Sequence, residues 1–181
     1  MKPFNALAAL GTAGHHGFER WAGVGVFLEP WLGRAKTNLF WSATMPIWLY
    51  RALAGRERDE PLLAFSAGVA IAGSLVHFVG WPWSLRLGIF PWLDQAEGLP
   101  PEQLTAYNSI LWGWLVGGVG SVVTETKREH LKFAAAGVAT APLLSASAKH
   151  HFKWAREQAE RDPASWSPWL LDESSSARVR A

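Results

Sequence analysis

The chain has 181 residues, 49% of them apolar, with a formal net charge of +2 and no cysteine. The lack of thiols excludes disulfides, thiolate metal sites and cysteine nucleophiles. A charge this small excludes a nucleic-acid partner. The length suits one compact unit.

Mean hydropathy is only +0.04, because residues 155–181 and the Arg56–Glu60 stretch are polar. Local windows read differently. Twelve tryptophans stand against two tyrosines. Indole joins an apolar body to a polar N–H, which suits a membrane–water boundary. The basic residues sit singly or in pairs beside apolar runs, as membrane anchors do.

The start, MKPFNALAALGTAG, carries one Lys and a short apolar run, and does not read as a cleavable signal peptide. A first membrane span is expected over 15–32, with its apolar core at Trp21–Leu28. Its limits have two solutions. A helix from Phe18 to Trp31 is short for a bilayer. One from Phe4 to Leu28 is long enough but takes His15 to Arg20 into the membrane. A second span is expected over 38–53, kinked at Pro46, with Arg51 reaching back to the interface.

The third span, 62–80, contains no Asp, Glu, Lys or Arg. It matches the ~20 residues at ~1.5 Å each that cross a bilayer. His77 lies near its end, and Trp81 and Trp83 follow. Ser66, Ala70 and Ser74 recur every fourth residue and form a small-residue face. That face suits close packing within the chain or an oligomer contact.

Residues 81–104 are rich in Trp, Pro and Leu with scattered charge, and read as an interfacial segment. A fourth span is expected over 105–124, with Gly113 and Gly117 as a G-x-x-x-G pair and Trp112 and Trp114 inside it. A fifth is expected over 131–148, kinked at Pro142. The polar remainder, 155–181, reads as a helix to about Arg161, then SWSPWLL touching the membrane surface, then a disordered SSSARVRA. The fold class is therefore all-α: a polytopic membrane helical bundle of five transmembrane helices with an interfacial segment between the third and fourth. The expected location is a plasma membrane of bacterial type. The expected partners are the lipid bilayer and an apolar small molecule. Positive-inside counting puts 81–104 outside, and also puts the basic end of the fifth span outside, which the rule disfavours.

Alternating spans sort the polar residues by end. Glu29, His77, Glu97, Asn108, His150 and His151 fall on one side, with Glu125 and His130 on the other. His15, His16 and Glu19 join the second group if the first helix starts late. The candidate catalytic residues are accordingly His77, Glu29, Glu97, Asn108 and His151. Each has a plain alternative: an interface histidine bonded to a carbonyl, an end-of-span charge, or an amide bridging helices. His15, His16 and Glu19 form H-H-x-x-E, whose i, i+3 and i, i+4 spacings suit two ligands to a divalent metal or a carboxylate orienting an imidazole. Trp112, Trp114 and Trp81 are candidate pocket walls, because indole faces stabilise cations.

Three function classes fit these residues. One is a membrane-embedded enzyme using His/Glu acid–base or metal chemistry on a lipid or isoprenoid. Another is a non-catalytic membrane subunit, sensor or small transporter. The third is an electron-transfer subunit with non-covalent haem, since no C-x-x-C-H is present. In tryptophan content and span number the chain resembles, in gross form, the tryptophan-rich sensory (TspO-like) membrane proteins. None of that family's motifs matches positions here, and no residue role is taken from it.

Overall fold

The computed structural model describes residues 1–172. The SSSARVRA segment lies outside the described residues. The chain is mostly helical and all-α, with α1 Pro3–Trp21, α2 Glu29–Ala54, α3 Glu60–Gly80, α4 Leu104–Gly120, α5 Leu131–Val138 and α6 Ala141–Arg161. A short antiparallel hairpin, β1 Trp83–Arg86 and β2 Phe90–Leu93, is inserted between α3 and α4. Two helical stretches are long and apolar enough to cross a membrane, Glu57–Gly80 and Arg128–Arg161.

The first helix begins much earlier than 15–32. Pro3 opens α1, a position where a missing N–H is harmless. The Glu125 carboxylate caps it, accepting from the backbone N–H of Phe4 at 2.6 Å and of Asn5 at 2.9 Å. A carboxylate there also meets the positive end of the helix dipole. The expected apolar core, Trp21–Leu28, is instead mostly loop. Gly23 (φ 75°) and Gly25 (φ 80°) adopt the left-handed region that stops a helix.

α2 is longer than 38–53, and its break is not at Pro46. Non-helical dihedrals occur at Gly33 (φ 73°, ψ 162°). α3 matches 62–80 closely, because nothing in that run favours another structure. Its small-residue face is used inside the chain: Ala70 and Ser74 are fully buried. α4 ends as a regular helix at Gly120 and continues as a π-helical turn, Ser121–Glu125. The expected fifth span is divided at Ala139–Thr140, just before Pro142, which sits in the first turn of α6.

α1 packs antiparallel on α4 through small residues. A Cβ on Gly11 would stand 2.6 Å from the Trp114 Cα, and one on Gly117 would stand 2.5 Å from the Ala8 nitrogen. α3 runs antiparallel to α4 and parallel to α5, which it meets at Gly68 and Gly137.

The 81–104 segment is more ordered than an irregular interfacial stretch. Asn108 of α4 anchors the hairpin: its Oδ1 accepts from Leu93 N–H at 2.7 Å, and its Nδ2 donates to Leu93 O at 3.1 Å. Four-residue strands with Pro91 inside carry little pattern of their own, so tertiary contact decides them. SWSPWLL is also not a free surface strip. Ser167 N–H donates to Gly23 O at 2.9 Å, its Oγ donates to Gly98 O at 2.6 Å, and Leu170 is buried. The loop after α1, the loop before α4, the end of α6 and residues 163–171 together build a cap over one end of the bundle.

Candidate functional site

Because α1 starts at Pro3, His15, His16 and Glu19 lie near its far end, on the same side as His77. A cavity of about 460 Å³ opens between α1, α2, α3 and α6. Most of its wall is apolar, including Phe40, Met45, Val69 and Leu144. Its polar lining includes His15, His16, Glu19, His77, Glu97 and His151, with Lys149 and a few hydroxyl side chains elsewhere on the wall.

The centre of this polar wall is His15. Its Nε2 lies 3.4 Å from Glu19 Oε1, one helical turn along. Its ring meets the His77 ring edge to face at 4.8 Å between centroids, and stacks on Trp114 at 5.0 Å with 25° between planes. Tyr107 O–H donates to the same Glu19 oxygen at 3.2 Å. One ligand atom from each of His15, Glu19 and His77 lies within 4.8 Å of the other two.

Backbone carbonyls set the tautomers of the neighbours. His77 Nδ1–H donates to Gly73 O at 2.6 Å, and His16 Nδ1–H donates to Thr12 O at 2.8 Å. A carbonyl only accepts, so Nδ1 carries the proton and Nε2 keeps its lone pair. His151 Nε2–H donates to Val24 O at 3.1 Å, leaving its Nδ1 as the acceptor.

Among the described residues, four buried polar atoms on cavity-lining side chains have no protein partner: His15 Nδ1, Trp48 Nε1, Trp114 Nε1 and His151 Nδ1. Buried polar atoms are ordinarily satisfied, by a guest or by water where the protein supplies nothing.

Several candidates fall elsewhere. Glu29 is fully buried but does not line the cavity; it pairs with Arg20, and its Oε1 lies 3.9 Å from Arg34 Nε. Asn108 is occupied by the hairpin. Trp112 supports the same hairpin, donating from Nε1 to Pro91 O at 2.9 Å. Glu97 lines the cavity and forms an ion pair with Arg156. Trp81 lines the cavity, its ring 5.2 Å from that of His77. Tyr107, Trp41 and Trp48 escaped the sequence reading. Tyr107 had a faint signal, since it precedes Asn108 early in an uncharged helix. Nothing in the sequence marked the other two.

The arrangement suits proton transfer, with Glu19 held between an imidazole and a phenol. It also suits metal binding through imidazole and carboxylate. His15 cannot share a haem with His16 or His77 from opposite faces, because its ring lies directly against each of theirs, at 5.2 and 4.8 Å between centroids. No family model matches the chain, and neither the curated proteins nor the solved structures contain a match.

Proposed function

We propose that the chain is a multi-pass membrane protein that takes a lipid or isoprenoid into its cavity and acts on the polar end with His15, Glu19 and His77. The observation that carries this reading is their convergence at one wall of a mostly apolar cavity of about 460 Å³. That volume lies within the ~300–1,000 Å³ typical of small-molecule sites. In this reading Glu19 and the imidazoles exchange a proton with the substrate, and the Trp81 face shelters positive charge that develops on it.

Two features support the membrane setting. The apolar window of Arg128–Arg161 is only 11% buried within the protein, unlike the core helix of a soluble fold. α1 turns Asn5, Thr12, His15, His16 and Glu19 inward while Leu10 and Trp21 face out. Lipid, not water, rewards that polarity.

The test uses membranes from cells expressing the full chain. They are incubated in D2O and their lipids are scanned by mass spectrometry. Deuterium should enter a lipid or isoprenoid at carbon, and Glu19→Gln should abolish the incorporation. Saturable lipid binding with no incorporation would replace the enzyme by a ligand-binding sensor.

A further inference from the structure

We propose that His15, Glu19 and His77 bind one divalent transition-metal ion, with the remaining coordination positions facing the cavity. The proposal deepens the reading above and rests on the same cluster, with a water on the ion, and not the ligating side chains, exchanging the proton with the substrate. It replaces His16 of the H-H-x-x-E pattern by His77. Adjacent residues on a helix point about 100° apart, so His15 and His16 do not readily share one ion, whereas α3 brings His77 directly against His15.

Three kinds of observation carry it. The first is spacing. Ligands bonded at ~2.1 Å on tetrahedral angles sit about 3.4 Å apart. His15 Nε2 and Glu19 Oε1 are 3.4 Å apart, and the set of three donors closes within 4.8 Å.

The second is the outer shell. A ligating imidazole usually donates its other N–H to a carbonyl, and a ligating carboxylate accepts a further hydrogen bond. His77 has the Gly73 carbonyl, and Glu19 has the Tyr107 hydroxyl. Trp114 stacks on His15 and fixes its plane. His77 and Glu19 would thus be oriented by hydrogen bonds before any ion arrives, and His15, whose Nδ1 has no such partner, by its stack on Trp114.

The third is the donor set and its surroundings. Two imidazoles and one carboxylate, in a chain without thiols, suit zinc, iron, cobalt or manganese and not soft Cu(I). Two histidines and a carboxylate on one face leave open positions for a substrate. Here the open side is the apolar cavity, where the polar end of a lipid-like molecule would meet the ion.

The experiment titrates chelator-treated full-length protein in lipid nanodiscs with Co2+, following visible d–d absorption. One equivalent should bind to the wild type and to His150→Gln, which lies outside the cluster. His15→Ala and Glu19→Gln should abolish the bands, and Tyr107→Phe should weaken binding by about tenfold. His77→Cys provides a check that does not depend on loss: a thiolate-to-cobalt charge-transfer band should appear. No d–d bands in the wild type, bands unchanged in Glu19→Gln, or no charge-transfer band in a folded His77→Cys protein would overturn the proposal. Quenching by a doxyl-labelled fatty alcohol is measured on the same metal-free samples. Ala148 lines the cavity, and saturable quenching that Ala148→Trp blocks, without cobalt bands, would sink the metal and keep the cavity reading. Loss of both signals would sink both.

Discussion

His77 meets His15 edge to face, ring centroids 4.8 Å apart, across the interface of α3 and α1. The contact joins packing and chemistry in one place, and the two are separable. Phenylalanine retains the ring and its contact but has no nitrogen. We expect His77→Phe to destabilise by roughly 1–3 kcal/mol, from the larger ring and the lost bond to Gly73 O, with the fold retained, while removing deuterium incorporation into lipid. Thermal unfolding in detergent, followed by tryptophan fluorescence, measures the first. A His77→Phe protein as active as the wild type would remove His77 from the site.

The G-x-x-x-G pair of α4 should behave asymmetrically. Gly117 touches the α1 backbone at Ala8, whereas a Cβ on Gly113 meets nothing within 4 Å. Gly117→Ala should destabilise by roughly 1–3 kcal/mol through overpacking. Gly113→Ala should be neutral or stabilising by up to about 1 kcal/mol, from helix propensity. Melting curves of the two variants decide this. Equal effects would mean that α1 and α4 do not meet at Gly117.

Asn108 is a structural residue in this fold. Asn108→Leu leaves the Leu93 N–H and C=O without their side-chain partner, at a cost of roughly 1–3 kcal/mol. Hydrogen exchange at Leu93 should accelerate, while cobalt binding persists. Loss of cobalt binding in an otherwise intact protein would return Asn108 to the site.

Glu125 fastens the opposite end of α1. Beyond capping Phe4 and Asn5, its backbone carbonyl accepts from Lys2 Nζ at 2.7 Å. Glu125→Ala should cost about 0.5–2 kcal/mol, the range of a lost helix cap. Faster amide exchange should be confined to the first turn of α1. Uniform exchange across the chain would argue that the cap is dispensable.

Much of the helical layout was legible. Leu62–Gly80 reads as a helix because its uncharged run admits no competing turn, and Pro142 marks the division between α5 and α6. α1 was harder, since its length depends on Glu125, which caps it from far along the chain. The mixed polarity of residues 3–21 makes sense only once α4 and the cavity cover one face. The hairpin was illegible for a related reason. WSLR and FPWL are short, and Asn108 and Trp112 hold them from another helix.

The sequence by itself determined the helical character, the long uncharged run of α3, the exclusion of thiol chemistry, and the spacing of His15 and Glu19 on one helix face. Those properties follow from composition and from the 3.6-residue period, which are local. Only the tertiary structure decided that His77 and Tyr107 join that face, while Glu29, Asn108 and Trp112 do other work. A polar residue in an apolar run says that it needs a partner. Whether the partner is an arginine, a hairpin backbone or another imidazole depends on which helices meet, and distant glycines set that by allowing α1, α3 and α4 to approach.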